Sequence, residues 1–343
     1  MNGGPIDLNF IWFIIMGLLL SSYAVLDGFD LGVGALHLLT KTDQERRLFI
    51  NSIGPVWDGN EVWLVTSAGA MFVAFPEVYA TLASGFYPIV FFLLFSLLFR
   101  AIAIEFRGKE PMAWWRRMWD ISFSLSSILT AFFLGIMVGN VAKGIPLNNE
   151  GEFTASLNQL FHPYAVLVGI TTVALFTMHG VIYLAMKTEG ALHAKIRRWS
   201  RQAIRVYILC YALMTISTLV YLPHMADKMR AHPLYFIVPL FNLLAIANIP
   251  RQMNRGKDFQ AFLSSCASMF ALIFLFGLGL YPNIVLSIPY PEHSLTIYNA
   301  ASSEKTLGIM LIIAIIGMPF VLAYTISVYW IFRGKVRIHE TSY

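Results

Sequence analysis

Phe10-Ile11-Trp12-Phe13-Ile14-Ile15-Met16-Gly17-Leu18-Leu19-Leu20-Ser21-Ser22-Tyr23-Ala24-Val25-Leu26 runs without a charge and leads directly into Asp27-Gly28-Phe29-Asp30-Leu31-Gly32-Val33-Gly34. The apolar part is longer than a signal-peptide core. The residues before it, Met1-Asn2-Gly3-Gly4-Pro5-Ile6-Asp7, offer no basic side chain. A cleaved signal normally has a positive start and a small-residue cleavage site, so the segment reads as a retained first membrane helix.

The rest of the chain follows the same pattern. Of its 343 residues, 57% are hydrophobic and 13% charged, against about 45–50% and about 25% in soluble domains. A span needs about 20 mostly apolar residues. Spans are expected near 9–36, 52–75, 79–104, 119–140, 162–186, 202–221, 233–250, 260–281 and 306–332. Segment 52–75 is weakened by Asp58, Asn60 and Glu61, and 233–250 is short and carries Pro239. The expected class is all-α, a polytopic transmembrane bundle of about nine spans, with residues 1–343 forming one integral membrane domain. The longest loops, around 141–161 and 282–305, are too short to fold independently.

The basic residues orient the bundle. Lys41, Arg46, Arg47, Arg100, Arg107, Lys109, Arg116, Arg117 and those of 187–205, 251–257 and 333–337 fall after odd-numbered spans. Only Lys143, Lys228, Arg230 and Lys305 fall after even-numbered ones. Positive charge favours the cytoplasmic side, so the N-terminus is expected outside and the C-terminus in the cytoplasm. The same asymmetry supports nine spans, since losing one would mix the two sets. The net charge of +5 therefore reflects topology. The basic loops, interrupted by Trp114 and Trp115, read as interfacial anchors and give no sign of a nucleic-acid partner.

Carboxylates inside spans are costly and mark functional hypotheses. Asp27 and Asp30 share a face of the first helix by i, i+3 spacing. Asp58 and Glu61 repeat the spacing in Gly54-Pro55-Val56-Trp57-Asp58-Gly59-Asn60-Glu61-Val62-Trp63. Entering from the cytoplasm near Asn51, Asp58 lies about 10 Å along the helix and Glu61 roughly 5 Å deeper. Arg100, Glu105 and Asp120 stand at similar height. Acids gathered in one leaflet suit a proton path through Asp58, Glu61, Asp27 and Asp30, or ion-pair locks with Arg100 or Arg107. For Glu105 and Asp120, near the interface, pairing is the expected role.

Histidine tests for haem, whose axial ligands are often His. Only His179 sits well inside a span, with Tyr183 four residues on along the same face, so the chain is expected to bind no haem. There is no P-loop, dinucleotide fingerprint, HExxH or clustered cysteine, and therefore no expected catalytic residue, cofactor-binding residue or metal ligand in this chain.

These motifs resemble subunit II of the cytochrome bd-type quinol oxidases, including the cyanide-insensitive branch. The resemblance rests on Asp27 to Gly34, Asn51 to Leu64, Phe75-Pro76 before Tyr79, Leu98 to Arg107, Trp119-Asp120 and His179 to Thr188. It is dense over 23–120, recurs around 179–190 and thins afterwards. It implies a partner, subunit I, that carries haems b and d and the quinol site, in a bacterial cytoplasmic (inner) membrane. It also implies quinol oxidation coupled to reduction of O2 to water, with cytoplasmic protons entering at the aspartate matching Asp58. Small single-span subunits, a structural quinone and an oxygen path near Trp63 are weaker implications. The competing reading is a proton-coupled secondary transporter, which would favour a midplane site between broken helices in two matching halves. Here the acids crowd toward one leaflet.

Overall fold

The computed structural model describes residues 7–148 and 152–337; Met1–Ile6, His339 and Tyr343 lie outside the described residues. Among the described residues, eight helical segments are long and apolar enough to cross a membrane. They are α1 (Leu8–Leu36), α5 (Tyr87–Phe106), α6 (Ala113–Lys143), α8 (Pro163–Lys187), α9 (Gly190–Tyr221), α11 (Ile237–Asn254) with its leading turn, α12 (Asp258–Leu280) and α13 (Glu304–Ile331). The ninth expected span is α3 (Trp57–Ala74). At 18 residues it is about 27 Å long, close to the roughly 30 Å hydrocarbon thickness. Its polar first turn keeps it below the apolar level of the others. Shorter helices connect these spans: α2 (Asp43–Ile53), α4 (Pro76–Gly85), α7 (Leu157–Leu160) and α10 (Asp227–Ala231).

Two expected spans are each divided. The helix expected over 52–75 breaks at Gly54-Pro55-Val56, and residues 52–53 belong to α2. Proline has no N–H to donate and disfavours helical backbone in the residue before it, so α3 starts afresh at Trp57. The span expected over 79–104 is α4 followed by α5, each with a proline, Pro76 or Pro88, in its first turn. Arg100, expected near the cytoplasmic end of the third span, lies inside α5 and is wholly buried. Much of the basic stretch 187–205 is the start of α9. The short segment with Pro239 is helical, because a proline within the first turn needs no intrahelical donor.

α1 is the centre of the bundle, packed against α3, α6, α8 and α12. Close approach explains its glycines. A Cβ on Gly32 would run into the Phe176 carbonyl and come within 2.9 Å of the Gly180 Cα, so α1 and α8 touch backbone to backbone. Gly135 and Gly139 of α6 meet Gly169 and Ala165 of α8 in the same way. Small residues four apart are the usual means of close helix packing in lipid. At the end poor in basic residues, the 144–148 and 282–303 segments fold over the bundle. A two-stranded antiparallel ribbon, β1 (Asn283–Val285) with β2 (Leu295–Thr296), stiffens that cover, and Ile145 bridges to Ser287.

α13 is the exception to this packing. Only Leu307 among its residues is buried, and 319–324 are exposed on every side. Polar clamps hold its two ends. Trp12 Nε1 donates to the Leu307 carbonyl at 3.1 Å. At the other end the Tyr329 hydroxyl donates to Asn60 Oδ1 at 2.8 Å, Lys187 donates to the Phe332 carbonyl, and Val336 N–H to the Lys187 carbonyl at 2.8 Å.

Candidate functional site

The buried charges fall into two clusters at the end rich in basic residues. The first joins α1, α3 and α5. Arg100 Nη2 lies 2.7 Å from Asp27 Oδ1 and 3.0 Å from Glu61 Oε2. Arg100 and Asp27 side chains are fully buried, while that of Glu61 keeps 22% exposure. Glu61 is thus the member of the cluster that reaches the surface of α3. One turn earlier on the same helix, Asp58 is exposed. The i, i+3 spacing read from sequence therefore becomes a stepped series: Asp58 outside, Glu61 half in, Asp27 fully in, with Arg100 between the last two.

Asp30 belongs to the same region but has other partners. Its Oδ2 accepts from Asn60 Nδ2 at 2.7 Å, and Asn60 Oδ1 in turn accepts from Tyr329. Asp30 Oδ1, the Tyr23 hydroxyl, and Arg100 Nε and Nη1 have no protein hydrogen-bond partner among the described residues. Donors and acceptors of this cluster thus remain unspent within the protein. A buried polar group without a partner costs free energy, which makes these atoms more telling than the paired ones.

The second cluster ties the helix ends together, with His37 Nδ1 and Arg46 Nε left without a hydrogen-bond partner among the described residues. Asp120 on α6 has no exposure. It lies 2.5 Å from His37 Nε2, 2.6 Å from Arg107 Nε and 2.8 Å from Arg46 Nη1. Arg107 also meets Asp43 at 2.7 Å. Burial alone would lower the Arg107 pKa, but its hydrogen bonds and charge attraction to Asp120 and Asp43 outweigh that and raise it above the usual arginine value. Four elements converge on one carboxylate. Glu105 is half-buried on α5, between Arg100 of the first cluster and Arg107 of the second. The structure thus places Asp27, Asp30, Glu61 and Arg100 together, with Asp58 at their edge and Asp120 in a separate knot.

His179 sits apart from both, at the crossing of α8 with α1 and α12. One ring nitrogen lies 2.7 Å from Ser265 Oγ and the other 3.0 Å from the Val25 carbonyl. The ring stacks on Phe262. Tyr183 donates to the Ser52 carbonyl at 2.7 Å and stacks on Phe29. Sequence reasoning missed Asn60, Tyr329, Tyr23 and His37 as site members. Asn60 stood inside the quoted motif between two acids, a signal that was available. Tyr329 has no local signal, because its partner lies 269 residues away.

Comparison with known proteins adds four findings. The family model described as cytochrome bd terminal oxidase subunit II matches residues 8–332. The chain is similar to cytochrome bd-I ubiquinol oxidase subunit 2 of Escherichia coli (strain K12), at 33% identity covering 96% of this chain and 95% of that protein. It is similar to cytochrome bd ubiquinol oxidase subunit 2 of Bacillus subtilis (strain 168), at 32% identity covering 97% and 98%. Its fold resembles a chain in the structure of bd oxidase from Geobacillus thermodenitrificans, with a TM-score of 0.79 at 19% identity, covering 96% and 98%.

Proposed function

Given that this chain belongs to the cytochrome bd terminal oxidase subunit II family, a membrane oxidoreductase family, we propose that it is the haem-free partner of a haem-bearing subunit I and admits cytoplasmic protons at Asp58. The setting is a bacterial inner membrane, where quinol oxidation is coupled to O2 reduction. One observation carries the proton assignment: the stepped exposure of Asp58, Glu61 and Asp27, with the buried Arg100 guanidinium linking the last two. A carboxyl can take and release a proton, and three such groups at graded depth form a route inward from the basic end.

The residues present do not fit a haem at His179. Both ring nitrogens are occupied by Ser265 and Val25, and Phe262 covers the ring face, so no nitrogen is left to serve as an axial ligand. His37 is likewise committed to Asp120. This supports placing the haems in subunit I. The exposed side of α3 beyond Asp58, which runs through Val62, Val65 and Gly69 to Phe72, is the surface that subunit I covers in this reading. A partner there would receive protons directly from the carboxyl series.

Asp58→Asn tests the reading, because it keeps shape and hydrogen bonding but removes the acid. The assembled variant retains its haem content while quinol-oxidation turnover falls by about a hundredfold or more, within the range of general acid–base contributions. Asp58→Glu retains partial turnover. If Asp58→Asn assembles fully and turns over like the wild type across pH 6 to 9, Asp58 is not the proton entrance.

A further inference from the structure

A cavity of about 370 Å³ opens at the end opposite the carboxyl clusters, between the ends of α6, α8 and α9. Among the described residues no carboxylate lines it. Several backbone acceptors around it are already used. Gly144 N–H takes the Asn140 and Val141 carbonyls, His224 takes that of Ala142 at 2.9 Å, and Leu222 N–H takes that of Thr218. The last carbonyls of a helix are ordinarily its free acceptors, and here those of Asn140, Val141, Ala142 and Thr218 are used.

Donors, by contrast, are left over. Lys143 enters no ion pair among the described residues. His162 Nδ1 accepts from Ala165 N–H at 3.2 Å as the N-cap of α8, so the ring proton is on Nε2, which is buried without a protein partner. Burial and the nearby Lys143 charge hold the His162 pKa down at about 4, which keeps the ring neutral and Nε2 a donor at ordinary pH. Gln159 uses its oxygen on Ser156 N–H at 2.9 Å, leaving its amide NH2 free. Tyr221 also lines the cavity. Leu160 and Leu222 supply apolar wall.

We propose that this cavity binds a phosphate-type oxyanion, held by Lys143 and the Nε2–H of His162, either as the phosphodiester of an outer-leaflet phospholipid or as free phosphate. A pocket with one cation, several unspent donors and no competing carboxylate selects an acceptor-only ligand, and the ammonium favours a formal anion over a neutral carbonyl. The apolar wall continues toward the lipid-facing side of α9, whose exposed residues include Leu213, Ile216 and Val220.

The test uses the assembled oxidase complex, delipidated in detergent, with dihexanoyl phosphatidylglycerol and inorganic phosphate as separate probes. Native mass spectrometry reads the lipid, and equilibrium dialysis reads phosphate. Lys143→Gln removes the cation. His162→Asn keeps an N-cap side chain but removes the Nε2–H. Wild type binds one equivalent, and each variant weakens binding by about tenfold, the value of one charge-assisted hydrogen bond. Tighter binding of the lipid identifies a headgroup as the source, and equal or tighter binding of phosphate identifies the free ion. Haem content confirms assembly of each variant. The proposal is overturned if wild type binds neither probe, if both variants bind like wild type, or if decylubiquinone alone occupies the site.

Discussion

Arg100→Gln is the perturbation that most directly examines the buried cluster. The guanidinium is wholly buried and its Nη2 serves two carboxylates, at 2.7 and 3.0 Å. Removing it strands Asp27, which has no exposure, beside Glu61, whose side chain keeps 22%. Glu61 can recover solvation by moving outward along α3, but Asp27 cannot. Breaking a buried pair by deleting one partner costs about 3–5 kcal/mol, whereas replacing both partners by neutral groups is often close to neutral. A protein's whole margin is about 5–15 kcal/mol, so the single variant should lose a large share of its stability. Arg100→Gln with Asp27→Asn should recover most of it. The assay is a double-mutant cycle on the purified complex, unfolded by increasing SDS in mixed micelles and followed by loss of helical circular dichroism. A coupling energy above about 2 kcal/mol is expected between the two positions. If Arg100→Gln alone costs less than about 1 kcal/mol, the range of an exposed pair, the cluster is hydrated and the argument from burial fails.

Two further perturbations follow from geometry. Gly32→Ala puts a methyl against the α8 backbone at Phe176, an overpacking worth about 1–3 kcal/mol or more, whereas Gly17→Ala, with nothing within 4 Å, should leave the same unfolding midpoint unchanged. The His162 pKa is lowered from 6.5 to about 4, so the unfolded chain binds the proton first. Its contribution to stability is present above about pH 6.5 and declines as pH falls toward about 4, and His162→Asn should flatten the midpoint-versus-pH curve across that window. An equal slope in both proteins would refute this assignment.

The spans were legible because long apolar runs have few other uses, and the carboxylates stood out against them. Breaks within the runs were less so. The expected helix over 52–75 ignored what Pro55 does to the backbone, although that signal was in the sequence, and the 79–104 span did the same with Pro88. Periodicity also misled at Asp27 and Asp30. Residues three apart on a helix point about 60° apart, enough for Asp27 to face Arg100 on α5 while Asp30 faces Asn60 on α3. Arg100 stands near a span's end, where positive charge usually faces water; its burial depends on Asp27 and Glu61 arriving from other helices. Pairing of Asp120 is legible in sequence, but its partners His37 and Arg46 come from the turn between α1 and α2, which no spacing rule encodes.

The clamp between Tyr329 and Asn60 spans 269 residues of chain. Chains grow from the N-terminus at about 5–20 residues per second, so Asn60 leaves the ribosome roughly 13–54 s before Tyr329 does. Throughout that interval Asp30 can bond Asn60, but Asn60 cannot yet bond Tyr329. The Asp30–Asn60–Tyr329 chain is therefore finished only when the last helix is in place, and a chain truncated before that helix would lack the final link even with every acid of the site already synthesised.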